Sequence, residues 1–188
     1  MIKTRIANSN DFDGILALQQ KYLFGNLSES ERKNGFVTTP FTRLQLEEIC
    51  KQNGIFVAEN ASKCIVSYVF AGSWTYFKQW EIFRFMISRF PELSFQGVAI
   101  TTENSFQYGP ICIAEKYRGS GLLNKIFEEM RIEFYKKYPI SITFINKVNT
   151  ISEKAHTLKL GWEIIDEFQF NNNNYIGLAF NMKNSVLT

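Results

Sequence analysis

The sequence is poor in the residues that build disulfide frameworks and metal centres. It has three cysteines and one histidine in 188 residues, and Cys50, Cys64 and Cys112 lie far apart, without any Cys-x-x-Cys spacing. An odd number of distant cysteines does not indicate a disulfide framework, and the missing pairs of ligands argue against a zinc site. We therefore expect no metal, and a reduced, cytoplasmic environment.

Long apolar runs and blocks of like charge are also missing. No stretch of 18 apolar residues occurs, and residues 1–5 have no apolar run like that of a signal peptide. Neither a membrane span nor a secretory leader is therefore predicted. The 21 basic and 18 acidic residues give a net charge of +3 and are scattered along the chain. Without a basic cluster, nucleic-acid binding is not indicated. The balance suits a polyanionic cofactor and an ordinary solvated surface equally well.

What is present is the composition of one globular domain. Hydrophobic residues make up 45% and charged residues 21%, and the 18 phenylalanines indicate a core or cavity rich in aromatic surface. A chain of this size can bury about 70% of the surface that its unfolded form exposes. Because no linker or repeat divides the sequence, we predict a single domain over residues 1–188.

Hydrophobic spacing predicts an alternation of strands and helices, and hence the α/β class. Short runs rich in β-branched and aromatic residues predict strands, and apolar residues three to four apart predict helices. The predicted strands are 2–6, 55–59, 64–70, 107–113, 140–148, 162–170 and 175–182. The predicted helices are 12–23, 42–54, 75–91, 121–138 and 152–160. Thr42 with Gln45 three residues later has the pattern of a capping box at the start of the second helix.

The sharpest local signal is the segment Tyr117-Arg118-Gly119-Ser120-Gly121-Leu122, placed where a strand gives way to a helix. Free backbone N–H groups of a first helical turn point outward with the positive end of the helix dipole and can hold an anion. The two glycines allow unusual backbone angles and close approach by a phosphate, and Arg118 can add a charge-assisted contact.

Two other phosphate motifs do not fit this segment. A P-loop requires Gly-Lys-Ser/Thr at its end, and a dinucleotide fingerprint needs a third glycine where Asn124 stands. An ordinary glycine turn that caps a helix is the structural alternative.

The wider sequence resembles the GCN5-related N-acetyltransferase (GNAT) family at two places. Residues 109–121 resemble its acetyl-CoA motif, a strand followed by Arg/Gln-x-x-Gly-x-Gly/Ala, in which Arg118 and Gly121 fit and Leu123 takes the last Gly/Ala position. Further along, residues 149–162 resemble the family's Asn-x-x-Ser/Ala and Lys-Leu-Gly-Phe segments, with Trp162 in the last position.

The resemblance implies a mixed, mostly antiparallel central sheet flanked by helices. It also implies a helical insertion, about residues 73–104, between the third and fourth strands. The implied activity is transfer of an acetyl group from acetyl-CoA to an amine, by direct attack in a ternary complex that needs no metal. The acceptor would be a small molecule or a peptide, and the protein a monomer or a homodimer.

The resemblance also implies which residues bind the cofactor. The strand residues would hold the pantetheine and polarise the carbonyl, the glycine loop would take the pyrophosphate, and the Asn-x-x-Ser segment would line the pantetheine arm. These positions are Ile111, Cys112, Ile113, Arg118, Gly119, Ser120, Gly121, Leu122, Asn149 and Ser152. Cys112 alternates with two isoleucines and is more typical of a small core residue than of a nucleophile.

The family often places a general acid, usually tyrosine, seven residues after the Asn and four before the Gly. Here the first count gives His156 and the second gives Thr157, so the sequence has one extra residue in between. We favour His156, whose unperturbed pKa near 6.5 would let it protonate a thiolate. A packing or surface histidine is the alternative. Glu103 and Tyr108 are candidates for the general base, although ordered water can take that role.

The insertion carries an aromatic stripe at helical spacing, formed by Phe77, Trp80, Phe83, Met86 and Phe90. Core packing is its simplest interpretation, and an acceptor pocket, a lid or a dimer contact are the alternatives. A different class of function also fits the departures from the motif, namely a non-catalytic CoA-binding regulatory module or a protein-interaction module.

Overall fold

The computed structural model describes residues 2–187; Met1 and Thr188, the end residues of the predicted domain, lie outside this range. Its strands agree with the predicted ones to within a few residues, apart from one additional short hairpin. They are β1 (Lys3–Ile6), β2 (Ile55–Glu59), β3 (Ile65–Gly72), β4 (Ser94–Phe95), β5 (Val98–Ala99), β6 (Ser105–Ile113), β7 (Ile140–Asn146), β8 (Glu163–Phe170) and β9 (Asn173–Asn181).

The helices lie between the strands in the predicted order. They are α1 (Phe12–Tyr22), α2 (Glu29–Arg32), α3 (Arg43–Cys50), α4 (Trp74–Phe77), α5 (Glu81–Arg89), α6 (Leu122–Phe134) and α7 (Thr150–Lys154), and a π-helix, Ala155–Leu160, continues α7. Among the described residues, none of the helices has both the length and the apolar character needed to span a bilayer.

Seven strands form one mixed sheet in the order β1-β2-β3-β6-β7-β9-β8. Only β6 and β7 run parallel; every other neighbouring pair is antiparallel. The predicted mixed, mostly antiparallel sheet is confirmed, and the insertion lies between its third and fourth strands, β3 and β6.

Helices cover both faces of the sheet. On one face α1, α3 and the insertion pack through buried residues such as Ile15, Leu46 and Phe83. On the other face α6 packs through Phe127 and Met130. A sheet buried on both sides is stable because each strand contributes apolar side chains alternately to the two layers.

Local hydrogen bonds fix two of the element boundaries that the sequence predicts. The Thr42 hydroxyl accepts from the Gln45 N–H at 3.3 Å, and the Gln45 side chain accepts from the Thr42 N–H at 2.9 Å, which completes the capping box of α3. The side chain of Asn60 accepts from the N–H groups of Ser62 and Cys64 at 2.9 and 3.0 Å and closes the β2–β3 turn.

The insertion differs from the single helix predicted over residues 75–91. It consists of α4 and α5, broken at residues 78–80, followed by the β4–β5 hairpin. The Arg84 guanidinium donates to the carbonyl oxygens of Lys78 and Gln79 at 2.8 and 3.2 Å, which stabilises the break. Its aromatic stripe packs into the core, as the simplest interpretation holds, and no residue of 73–104 lines either of the cavities described below.

The sheet opens between β6 and β7. Their pairing ends at Gln107 and Ile142, although β6 continues to Ile113 and β7 to Asn146. A bulge on β6 at residues 109–110 shifts its register against β3, and Pro110 has no N–H to donate. The two strands therefore separate over their last four to six residues and leave a gap in the sheet.

Candidate active site

The larger cavity of the protein has a volume of about 360 Å³ and lies beside the end of β6. The glycine loop, residues 117–122, forms one end of the cavity, and the start of α7 and the π-helix form the other. Phe36 and Val37, from the connection between α2 and α3, complete the wall. The two segments that sequence analysis singles out, 117–124 and 149–156, therefore meet at one cavity.

The glycine loop presents its backbone amides as an anion cradle. Gly119 and Gly121 adopt φ values of +75° and +80°, and a Cβ atom added to either would meet nothing within 4 Å. The Lys125 N–H donates to the Gly121 carbonyl at 3.2 Å, so the N–H groups of residues 122–124, which precede this bond, have no partner within α6. Such N–H groups, at the positive end of α6 and beside two glycines, are the arrangement that binds phosphate.

Arg118 and Asn149 line the larger cavity but also hold its wall in place. Arg118 donates through Nε to the Ile113 carbonyl at 2.9 Å and through Nη1 to the Asn34 carbonyl. The Asn149 amide donates to the Phe36 carbonyl at 3.1 Å. Both side chains therefore fix the segment 34–37, a role that the motif alone did not indicate.

The polar backbone of Ile111 and Ile113 faces the open side of β6. The Ala114 N–H donates to the Val66 carbonyl at 2.9 Å, so Ala114 turns its backbone groups toward β3. Because these groups alternate along an antiparallel pair, those of Ile113 and Ile111 point the other way, toward the cavity. The strand edge can therefore donate to an oxygen or accept from an amide.

Three other predicted cofactor residues offer no free side-chain donor to a ligand. Leu122 is buried against the sheet, and the Ser120 hydroxyl donates to the Tyr117 carbonyl at 2.7 Å. Cys112 is buried, and its burial raises the pKa of the thiol to about 12, so it is not a nucleophile at neutral pH. Any contact with a ligand at Ser120 or Leu122 would come from the backbone.

His156 and Tyr108 form a buried pair at the far end of the cavity. His156 Nδ1 lies 2.7 Å from the Ser152 carbonyl oxygen, which can only accept, so Nδ1 carries the hydrogen. Nε2 then has a free lone pair and accepts from the Tyr108 hydroxyl at 3.3 Å. Burial lowers the pKa of His156 to about 4 and raises that of Tyr108 well above its usual value of 10. Both groups are neutral at pH 7.

A smaller cavity of about 70 Å³ occupies the gap between β6 and β7. Its walls come from residues 108–111 of β6 and 143–146 of β7, and it shares Phe36, His156 and Ser152 with the larger cavity. The two cavities therefore adjoin at His156, and Tyr108 lines the smaller one.

Several solved structures share this architecture. The chain superposes on a phosphinothricin acetyltransferase from Sinorhizobium meliloti in complex with acetyl-CoA, with a TM-score of 0.64 and 14% identity over 96% of this chain and 88% of that one. A ribosomal-protein-alanine N-acetyltransferase from Brucella melitensis gives 0.62 and 17% over 95% and 99%. A GNAT-family acetyltransferase from Streptococcus agalactiae gives 0.63 and 14% over 96% and 95%.

The chain has the GNAT fold. No family model matches the sequence, and no curated protein sequence matches it. The likeness therefore lies in the architecture, where these neighbours cover nearly the whole chain.

The π-helix explains why the two counts to the general-acid position of the GNAT motif disagree. A π-turn accommodates one residue more than an α-turn between the same ends, and here it lies between Asn149 and Gly161. His156 faces both cavities, whereas the Thr157 hydroxyl donates to the Glu153 carbonyl of its own helix at 2.9 Å. The count forward from Asn149 therefore identifies the residue that faces the site.

Glu103 lies away from this site. It precedes β6, near the end at which β6 and β7 are still paired, and it lines neither cavity. Its exposed carboxylate accepts from the Thr102 hydroxyl at 2.6 Å, and hydrogen bonds lower its pKa. The structure therefore gives Glu103 no place as a base in either cavity.

Within residues 2–187, no three His, Cys, Asp or Glu side chains cluster as metal ligands would. Sequence analysis also missed the segment 34–37, because the bonds that join it to the site, from Arg118 and Asn149, connect residues more than 80 positions apart.

Proposed function

We propose that this chain transfers an acetyl group from acetyl-CoA to an amine. One observation carries the proposal: a single cavity extends from the glycines and the first turn of α6 to the open edge of β6 and to His156, whose Nε2 lies 3.3 Å from the Tyr108 hydroxyl. An anionic ligand with a long uncharged arm fits such a cavity. Two of the solved structures that share the fold hold acetyl-CoA.

The residues present fit this co-substrate. The amides of residues 119–124 would hold the pyrophosphate, and the open side of the two glycines leaves room for its approach. The backbone of Ile111 and Ile113 would hydrogen-bond to the pantetheine arm. Leu123, where the motif has a small residue, lines the same cavity and adds apolar surface to it.

Bound acetyl-CoA supplies an activated acyl carbon, at which the amine nitrogen forms the new C–N bond while the C–S bond breaks and the sulfur leaves with a proton. The Ile111 N–H faces the gap and would stabilise charge that develops on the acyl oxygen.

We assign the hydrogen bond to the departing sulfur to Tyr108 rather than to His156: the hydroxyl would turn to the sulfur from its 3.3 Å bond to His156 Nε2, and solvent would supply the proton that completes the thiol. The Tyr108 phenol stays protonated at neutral pH because burial raises its pKa, so it is a donor and not the base considered from sequence. Neutral His156 has no free hydrogen to give, since its only N–H is bonded to Ser152. We propose that His156 positions the Tyr108 hydroxyl. No Asp or Glu in residues 2–187 lines either cavity, so the amine would give its proton to solvent.

Thermal melting with and without acetyl-CoA tests the proposal, with Gly121→Leu as the variant and Gly97→Leu as its matched control. Both glycines have φ of +80° and open space around a Cβ, but Gly97 lies in the β4–β5 turn, away from both cavities. Each substitution places a side chain in a left-handed conformation, at a cost of about 1–2 kcal/mol.

Acetyl-CoA should raise the melting temperature of the parent protein in a saturable way. Only Gly121→Leu should weaken its binding, by about tenfold or more, since one or two charge-assisted hydrogen bonds are lost. Equal affinities for the two variants would contradict the cradle. Binding without thiol release on any amine would favour the regulatory CoA-binding module instead.

A further inference from the structure

The smaller cavity is walled by uncharged side chains. None of the residues that line it is Asp, Glu, Lys or Arg, as far as residues 2–187 are concerned. Its apolar surface comes from Phe36, Val37, Pro110, Phe144 and Ile145. A charged group that entered this cavity would find no counter-ion on its walls.

The charged side chain that follows the cavity wall in sequence is itself paired. Lys147 follows the wall residue Asn146, but its ammonium group pairs with Glu167 at 2.6 Å. Paired charges of opposite sign largely cancel each other's potential at a distance, so they attract neither a cation nor an anion into the cavity.

The polar groups that face the cavity are neutral hydrogen-bonding groups. A Cβ added to Gly109 of β6 would lie 3.5 Å from the Thr143 hydroxyl of β7, so this hydroxyl faces the gap. The Lys147 N–H donates to the Asn174 carbonyl of β9 at 2.9 Å, and by alternation the backbone groups of Phe144 face β6. Because β6 and β7 are no longer paired there, these groups can bind a ligand.

We propose that the acceptor is a small primary amine whose body carries no charge, and that it binds in the smaller cavity. The inference rests on the proposed acetyl transfer. The amine enters as its free base from the β6–β7 gap, next to the Tyr108 hydroxyl, and its body packs on the apolar wall. An ammonium or carboxylate group on that body would be desolvated without a partner.

Three amines of the same chain length test this inference, namely butylamine, 1,4-diaminobutane and 4-aminobutanoate. They share the reacting end and differ only in the charge at the far end. With acetyl-CoA and the full chain, kcat/KM for thiol release should be about tenfold or more higher for butylamine than for either charged analogue, because an unpaired buried charge is costly. Equal or higher values for a charged analogue would overturn the inference.

Asn146→Asp should then shift the acceptor preference toward the diamine. Asn146 lines the cavity, and its Oδ1 accepts from the Val148 N–H at 3.1 Å, a bond that Asp retains. The new carboxylate gives the diamine a counter-ion, so its kcat/KM should rise by about tenfold relative to butylamine. Asn184→Asp makes the same change of charge on an exposed turn outside both cavities and should leave the preference unchanged.

The outcomes separate the two proposals. If acetyl-CoA fails to raise the melting temperature, the proposed function fails before any amine is tried. If acetyl-CoA binds and a charged amine is the better acceptor, the neutral-acceptor inference is wrong while the proposed acetyl transfer stands. If acetyl-CoA binds and no amine supports thiol release, both proposals are wrong.

Discussion

At the scale of single residues, the burial of His156 has a direct consequence for stability. Its pKa is lowered to about 4 by desolvation, whereas in the unfolded chain it should be near 6.5. The unfolded state therefore binds the proton more readily, and the free energy of unfolding falls as the pH drops below about 6.5 until it levels off near 4. The full difference is about 3 kcal/mol, from a shift of roughly 2.5 pH units at 1.36 kcal/mol each.

Urea unfolding of the parent and of His156→Gln at pH 7 and pH 4 measures this effect. Asp11, Glu59 and Glu128 also have lowered pKa values, so both proteins should lose stability in acid. The loss should be smaller in His156→Gln by about 3 kcal/mol, because only the histidine contribution is removed. Equal losses in the two proteins would mean that His156 is accessible to water in the folded state.

At the scale of elements, local signals were sufficient for most boundaries. The capping box at Thr42 and the β2–β3 hairpin depend on residues within five positions of each other, and both were predicted correctly. The break between α4 and α5 was not predicted, because the apolar spacing of the stripe continues through it without a proline or glycine. Gln96 and Gly97, with φ of +51° and +80°, form the turn of the β4–β5 hairpin that was also missed.

The candidate site was predictable only in part, because local patterns can be read from a sequence and long-range contacts cannot. The glycine loop and the Asn-x-x-Ser segment are local patterns, and the structure brings both to one cavity. The His156–Tyr108 hydrogen bond joins residues 48 positions apart, and the bond from Asn149 to Phe36 spans 113. Such contacts follow from the packing of the sheet and have no signature in a single sequence.

The π-helix gives a prediction at this scale. It contains one residue more than an α-helix would need, and Leu158 within it is 79% exposed. Deleting Leu158 should therefore convert the π-turn to an α-turn while His156 keeps its place. We expect the melting temperature to change by less than about 4 °C, which corresponds to about 1 kcal/mol or slightly more for a protein of this size.

Deletion of Lys125 in α6 is the matched control. Lys125 is also exposed, but α6 has regular α geometry, so its removal rotates the preceding or following buried face by about 100°. This variant should lose far more stability than the Leu158 deletion or fail to fold. A large loss on deletion of Leu158 would show that the π-turn is needed for packing.

At the scale of the whole molecule, the insertion and α6 lie on opposite faces of one sheet. The side chain of Phe83 from the insertion is 1% exposed and contacts Phe144 of β7, with ring centroids 5.4 Å apart. Arg89 of α5 forms an ion pair with Asp166 of β8, with Nη2 2.6 Å from Oδ1. These contacts tie the insertion to β7 and β8, strands of the same sheet that α6 covers from the other face, which favours one cooperative unit.

Phe83→Ala and Phe127→Ala test this cooperativity, since each opens a cavity on one face of the sheet. Phe127 belongs to α6 and is fully buried against the sheet, and each substitution should cost about 3–5 kcal/mol. If the chain is one domain, both variants should shift the same single transition, with calorimetric and van 't Hoff enthalpies in agreement. If Phe83→Ala instead produced a separate early transition with the rest unchanged, the insertion would fold on its own. It could then be removed without loss of the proposed acetyl-CoA site.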